Sequence, residues 1–193
     1  MLTPEYWQSR YETQDTSWDV GIITPPLQTY IDQLTDKSFK ILIAGAGNAH
    51  EAEYLWKNGF RNVFIADIAP APLQNFQQRC PDFPKEQLLH TDFFAIQQQF
   101  DRLIEQTFFC AINPELRAKY AQKSHELLVP NGKLVGLLFN HDFGKPTPPF
   151  GGNPAEYEQY FNPYFDFLHW ATCYNSIQPR KDREWFMVLQ KKS

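Results

Sequence analysis

The chain has 193 residues, of which 42% are hydrophobic, so we expect one large domain with its own core over residues 1–193. Its formal net charge of −4 predicts no broad basic surface and no nucleic-acid partner, and no apolar run is long enough to predict a membrane span. Three widely separated cysteines, with no secretory signal visible, favour a reducing, cytoplasmic location and no metal cluster.

The predicted elements begin after a polar and aromatic stretch, residues 3–18, that has no sustained period. A short helix is expected within residues 22–34, beginning near Pro25. Strands are then predicted at residues 40–43, 62–66, 87–90, 103–106 and 133–139, and helices at residues 49–57, 70–78 and 113–128. A capping box at residues 153–156 starts a last helix, and strands 168–176 and 184–190 follow without a helix between them.

Strands that alternate with helices predict a mostly parallel sheet with helices on both faces. The last two strands should pair antiparallel at one edge, because no crossover helix separates them. The predicted fold class is therefore α/β, a Rossmann-like doubly wound sheet of seven strands with an antiparallel edge strand.

A glycine turn, Gly45-Ala46-Gly47, follows the first strand, and Asp67 ends the second. This layout is typical of a nucleotide-binding βαβ unit, in which the glycines admit a ligand and the acid accepts from ribose hydroxyls. The third glycine of the dinucleotide pattern is replaced by His50, and no P-loop sequence follows. The pattern favours a nucleoside without phosphates, such as S-adenosylmethionine, although an ordinary turn with a surface aspartate has the same sequence.

The loop of residues 141–152 contains three prolines and three glycines and follows a central predicted strand. It should lie at the carboxyl edge of the sheet, where ligands bind in open α/β folds. It is a candidate substrate loop, and a rigid connector would have the same composition. His141 and Asp142, at its start, either line an acceptor pocket or are solvated.

Four segments give the chain a family resemblance. They are residues 6–21 with Trp18-Asp19-Val20-Gly21, the glycine turn with Asp67, Thr91-Asp92-Phe93, and residues 100–120 with Thr107-Phe-Phe-Cys-Ala-Ile-Asn-Pro114. Through them the chain resembles the thiopurine, thiol and halide S-methyltransferase family of class I S-adenosylmethionine-dependent methyltransferases. The first and last segments are more specific than the glycine turn.

The resemblance implies that an N-terminal lid segment, about residues 1–34, folds over the cofactor. It implies a cofactor-binding group of Trp7, Tyr11, Trp18, Gly45, Gly47, Asp67, Ile68, Asp92, Phe93 and Glu105. The aromatic residues would face the sulfonium, and Asp67 would hold the ribose. Asp92 would accept from the adenine amino group with Phe93 beside the ring, and Glu105 would lie near the methionine amino group.

Arg117 matches an arginine that this family places near the methyl acceptor. A cation there would stabilise a thiolate, and a surface arginine on a helix is the alternative interpretation. The implied reaction is methyl transfer to a small soft nucleophile, with a thiol preferred and no metal required. The implied partner is a small-molecule acceptor, and the protein would be a monomer or weak homodimer.

Two other functions stay open from the sequence. One is an NAD-dependent oxidoreductase with a small Rossmann domain, which His50 disfavours. The other is a non-catalytic cofactor-binding protein with a methyltransferase-like fold, which Asp67, Asp92 and Arg117 disfavour.

Overall fold

Over residues 2–193, which the computed structural model describes, the chain forms six α-helices and seven β-strands. In chain order they are α1 Pro4–Glu12, α2 Pro25–Asp32, β1 Ile41–Ala44, α3 His50–Lys57, β2 Val63–Asp67, α4 Pro70–Arg79, β3 Leu88–His90, β4 Phe100–Gln106, α5 Arg117–Glu126, β5 Leu128–Phe139, α6 Pro154–Phe161, β6 Phe165–Thr172 and β7 Glu184–Lys191. None of the helices in this part of the chain is long and apolar enough to cross a membrane.

The predicted fold class is confirmed. The strands form a seven-stranded sheet of order β3-β2-β1-β4-β5-β7-β6, mostly parallel, with antiparallel strands at one edge. The chain divides into two compact units, one ending at Ile96 and the other beginning at Gln97. The single domain expected over residues 1–193 stays a prediction.

In the first unit, β1, β2 and β3 run parallel, so their carboxyl ends share one edge. All four side chains of β1 are buried, which fits a strand covered on both faces. The helix α1 was not expected, because residues 3–18 show no apolar period. It forms because Thr3 caps the helix by accepting from the Tyr6 amide at 3.3 Å and Pro4 occupies the first turn.

In the second unit, β4 and β5 are parallel, and β7 lies between β5 and β6 with both pairings antiparallel. The expected antiparallel edge is confirmed, and β6 is its outer strand. The ladder between β6 and β7 shifts register between Phe167 and His169, so Leu168 has no ladder partner and its side chain is 53% exposed.

The helix predicted over residues 113–128 is shorter than expected. Asn113 does cap, since its side chain accepts from the Glu115 amide at 3.2 Å, but a 3-10 turn follows and α5 begins only at Arg117. The segment of residues 129–132, between the predicted helix and the predicted strand, lies inside β5, where Asn131 has a φ of 63° and the pairing with β4 is interrupted. The capping box at Asn153 is confirmed by the bond from the Glu156 amide at 3.0 Å.

Candidate functional site

The glycine turn between β1 and α3 has an unusual backbone. Gly45 and Gly47 have φ values of 57° and 52°, and Ala49, the N-cap of α3, has a φ of 54°. Glycine adopts this left-handed conformation at little cost. At Gly47 a β-carbon would also lie 2.8 Å from the hydroxyl oxygen of Tyr11, so a side chain at position 47 would require Tyr11 to move.

Asp67 ends β2 and turns back toward the glycine turn. Its Oδ2 accepts from the Gly47 amide at 3.0 Å, and its Oδ1 accepts from the Ala69 amide at 2.9 Å. The residue is only 8% exposed, and this burial raises the pKa of its carboxyl although the backbone amides favour the charged form. Asp67 is therefore a buried acid on the turn, and the surface-aspartate alternative is wrong.

The three aromatic residues expected over the cofactor lie together. The ring of Trp18 forms T-shaped contacts with the rings of Trp7 and Tyr11, with centroid distances of 5.7 and 5.8 Å. The guanidinium of Arg10 lies 5.0 Å from the Trp18 ring centroid. Burial raises the pKa of the Tyr11 hydroxyl, and the nearby charge of Asp67 adds to the rise. The aromatic cluster thus contacts the glycine turn through Tyr11.

Asp19, which the sequence analysis did not name as a candidate, contacts the residues that follow the glycine turn. Its Oδ1 contacts His50 Nε2 at 2.8 Å and accepts from the Gly21 amide at 2.8 Å, and its Oδ2 accepts from the side chain of Asn48. Burial opposes the charge of Asp19, but these hydrogen bonds hold the pKa of its carboxyl well below the usual range. The available signal was His50 itself, a polar residue where a dinucleotide fold has glycine.

Asp92, Phe93 and Ile68 lie just beyond the ends of β2 and β3. Asp92 is exposed, and its Oδ1 accepts from the Phe94 amide at 2.9 Å to cap a short 3-10 turn. Phe93 is 3% exposed. The carbonyl of Ile68 lies 3.0 Å from His90 Nε2. Because β2 and β3 are parallel neighbours, these residues follow the same strand edge as Asp67.

Glu105, in the second unit, is completely enclosed. Its Oε1 accepts from the amides of Phe108 and Phe109 at 2.8 and 2.9 Å, and its Oε2 accepts from the Tyr120 hydroxyl at 2.7 Å. Burial raises the pKa of the Glu105 carboxyl to about 7. The side chain holds the turn after β4, where Thr107 has a φ of 62°.

Arg117 is the first residue of α5 and is 2% exposed, so the surface-arginine alternative is wrong. Its NH1 contacts Glu156 Oε1 at 3.2 Å, and its NH2 donates to the carbonyls of Phe150 and Gly151 at 3.2 and 2.9 Å. Its guanidinium carbon lies 4.8 Å from the centroid of the Phe109 ring. Arg117 therefore anchors the end of the 141–152 loop, whose first residues, His141 and Asp142, are exposed.

The first unit brings together most of the expected cofactor residues. They are Trp7, Tyr11, Trp18, Gly45, Gly47, Asp67 and Ile68, with Asp92 and Phe93 beyond the neighbouring strand. Glu105 and Arg117 belong to the second unit. Within residues 2–193, no three His, Cys, Asp or Glu side chains are grouped so that they could hold a metal ion.

Comparison with known proteins gives one family. A family model described as thiopurine S-methyltransferase matches residues 2–187. The chain is 27% identical to "Probable thiol methyltransferase 2" of Arabidopsis thaliana and 29% identical to "Thiocyanate methyltransferase 1" of Brassica oleracea, each match covering 92% of this chain and 81% of the relative. It is 26% identical to a thiopurine S-methyltransferase of Vibrio cholerae, covering 83% of this chain and 82% of the relative.

Solved structures share the fold. The 1,6-didemethyltoxoflavin-N1-methyltransferase of Burkholderia thailandensis superimposes with a TM-score of 0.78 at 16% identity, covering 100% of this chain and 88% of that chain. That protein was crystallised with S-adenosylhomocysteine. A magnesium protoporphyrin IX methyltransferase from Synechocystis has a TM-score of 0.76 at 11% identity, covering 98% of this chain and 99% of that chain.

Proposed function

The chain belongs to the thiopurine S-methyltransferase family, and we propose that this S-adenosylmethionine-dependent methyltransferase transfers the methyl group to a small thiol. The observation that carries the proposal is the buried Asp67 carboxylate, bonded to the Gly47 amide at 3.0 Å beside an aromatic cluster. When bound, S-adenosylmethionine supplies a methyl group on a sulfonium that is already a good leaving group. Thiol and thiocyanate relatives support a sulfur nucleophile as the acceptor.

The residues of the first unit fit such a cofactor. Gly47 has no side chain, so the backbone leaves room at the place where a side chain would meet Tyr11. The carboxylate of Asp67 can accept further hydrogen bonds besides those that it receives from backbone amides. Asp67 would accept from the ribose hydroxyls. Trp7, Tyr11 and Trp18 would offer aromatic faces to the sulfonium, where a cation–π contact is favourable.

The adenine would lie at the ends of β2 and β3. Asp92 is exposed and uses Oδ1 for its own turn, so Oδ2 would accept from the adenine amino group. Phe93 would form the wall beside the ring, and Ile68 would pack below it. This assignment rests on placement along one strand edge.

Arg117 would act on the acceptor side. Arg117 holds the loop carbonyls of residues 150 and 151, and its buried Nε has no hydrogen-bond partner among residues 2–193. That N–H would donate to a thiolate, while the rest of the guanidinium fixes the loop. Glu105 fixes the turn after β4, and its expected place near the methionine amino group stays a prediction.

An assay of methyl transfer is the direct test of this function. The protein is incubated with S-adenosylmethionine and a panel of acceptors, namely small thiols, thiocyanate, iodide and a thiopurine, and S-adenosylhomocysteine is quantified. We expect turnover with thiols. No turnover with any acceptor, together with thermal stabilisation by NADH and none by S-adenosylhomocysteine, would favour the oxidoreductase instead. Binding without turnover would favour the non-catalytic alternative.

Asp67→Ala tests the cofactor site itself. Removing the carboxylate takes away the proposed ribose acceptor, so calorimetry should show S-adenosylhomocysteine binding weakened at least about tenfold, since hydrogen bonds to charged groups contribute about 1.5–3 kcal/mol. Asp82→Ala is the control, because Asp82 is an exposed carboxylate of the same unit. Unchanged affinity in Asp67→Ala would remove Asp67 from the site.

A further inference from the structure

Asp19 joins two segments that are far apart in the sequence. It follows Trp18 in the lid segment, and its carboxylate contacts the side chains of Asn48 and His50 on the glycine turn, 29 and 31 residues away. The side chains of Asp19 and His50 are only 16% and 18% exposed. Because little solvent reaches these two side chains, the hydrogen bond between them is stronger than one at the surface, so it can hold the lid in one place.

The position of this carboxylate is chemically informative. Asn48 and His50 flank Ala49, the N-cap of α3, so Asp19 lies at the N-terminal end of that helix. In dinucleotide-binding folds the equivalent helix end receives the pyrophosphate, because its amides and dipole favour negative charge. Here the chain supplies the negative charge from its own lid.

A second carboxylate contacts the same turn. Asp67 accepts from the Gly47 amide, one residue before Asn48. A phosphate at this turn would add negative charge to a segment that Asp67 and Asp19 already contact, and like charges repel most strongly where water is excluded. A 5′-thioether or sulfonium brings no such charge.

We propose that Asp19 is a positioning and specificity residue: it fastens the lid segment to the glycine turn through His50 and Asn48, and it makes the site reject 5′-phosphorylated nucleosides. The inference rests on the proposed function, since it assigns Asp19 to the S-adenosylmethionine site. The pairing with His50 also explains why an imidazole occupies the third glycine position.

Binding measurements test the fastening. We expect Asp19→Ala and His50→Ala each to weaken S-adenosylhomocysteine binding about tenfold or more, and the double variant to be no weaker than either single variant. His50→Gln should stay within about threefold of the unchanged protein, because its amide can donate near the position of Nε2. Asp15→Ala is the matched control, since Asp15 lies in the same segment and pairs with Arg10 while 60% exposed.

A measurement in the absence of cofactor separates a role of Asp19 in fastening the lid segment from a direct contact between Asp19 and the cofactor. In the cofactor-free protein, the backbone amides of residues 14–21 should exchange with deuterium faster in Asp19→Ala than in Asp15→Ala. The melting temperatures of the two variants should be the same. Equal exchange in the two variants would overturn the fastening role. So would equal S-adenosylhomocysteine affinity in Asp19→Ala and the unchanged protein.

Adenosine and adenosine 5′-monophosphate test the rejection of phosphate. In Asp19→Asn, which keeps the size of the side chain, adenosine 5′-monophosphate should bind more tightly relative to adenosine than it does in the unchanged protein, by about fivefold or more in the ratio of dissociation constants. An unchanged ratio would overturn the specificity role. Failure of the unchanged protein to bind S-adenosylhomocysteine would instead contradict the proposed function, and the exchange experiment would still decide the fastening.

Discussion

At the scale of single residues, Gly47 carries two constraints at once. Its φ of 52° is a left-handed conformation, and a β-carbon at this position would lie 2.8 Å from the hydroxyl oxygen of Tyr11. The sequence indicates the first constraint, because glycines cluster in the turn. It does not show the second, since Tyr11 is 36 positions earlier in the numbering and the contact depends on how the lid segment folds.

Gly47→Ala should therefore cost more than backbone strain alone. A non-glycine residue in this conformation typically costs about 1–2 kcal/mol, and we expect the free energy of unfolding to fall by more than this. We also expect S-adenosylhomocysteine binding to weaken. Gly144→Ala is the control, because Gly144 has a φ of 61° with open space around its β-carbon position. Urea denaturation of both variants measures the difference. Equal losses would mean that the Tyr11 hydroxyl moves aside freely.

Glu105 makes the stability of the protein depend on pH. Its carboxyl has a pKa of about 7 when folded against an ordinary value of 4.5, because burial disfavours its charge. Between these values the folded protein holds a proton that the unfolded chain has released. The contribution of Glu105 to stability therefore decreases as the pH rises from about 4.5 to about 7, by up to about 3 kcal/mol.

Glu105→Gln should remove this contribution, because the amide keeps an acceptor for the Phe108 and Phe109 amides and does not ionise. We expect the unfolding free energy of the unchanged protein to fall, relative to that of the variant, between pH 5 and pH 8. The difference between the two curves isolates Glu105 from every other titrating group. A difference that stays constant over this range would contradict the prediction.

At the scale of elements, boundaries follow local chemistry where caps are strong. The Asn153 box fixes the start of α6, and Pro25 and Pro70 fix the starts of α2 and α4. The helix α1 was missed because none of its side chains is fully buried, so no apolar period exists for a pattern to reveal. The start of α5 was missed because Pro114 and its cap also suit a 3-10 turn.

Arg117 links three elements, since it joins the first residue of α5 to Glu156 of α6 and to the end of the 141–152 loop. Arg117→Ala should lower the unfolding free energy by about 2 kcal/mol or more, because it removes a buried guanidinium and leaves two partly buried carbonyls without their donor. It should also slow methyl transfer to a thiol while S-adenosylhomocysteine affinity changes little. Arg117→Lys should not restore either property, because an ammonium lacks the planar fork.

Lys119→Ala serves as the control for Arg117, because Lys119 is exposed on the same helix. Its effect on stability should stay within about 0.5 kcal/mol. Denaturation, calorimetry and initial rates on the same preparations make the comparison. Equal rates with a thiol in Arg117→Ala and the unchanged protein would exclude a role for Arg117 in the reaction.

At the scale of the whole molecule, the alternation of strands and helices was enough to predict a seven-stranded, mostly parallel sheet. The sequence also placed Asp67 and the glycine turn at the ends of adjacent strands, because such positions follow from strand order alone. It did not reveal the contact of Asp19 with His50 or that of Arg117 with the loop carbonyls. Asp19 and His50 are 31 residues apart, and Arg117 is 33 and 34 residues from the two carbonyls, so no local sequence pattern encodes these contacts.

The interrupted ladder of the outer strand β6 bears on how the protein behaves when it is concentrated. An edge strand offers unpaired amides and carbonyls on which strands of other molecules can add. Because the register shifts at Leu168, β6 is regular only over residues 165–167 and 169–172. Bulges of this kind bend and twist an edge away from such growth. The same irregularity that leaves an apolar side chain in solvent thus lowers the tendency of the folded protein to aggregate through this edge.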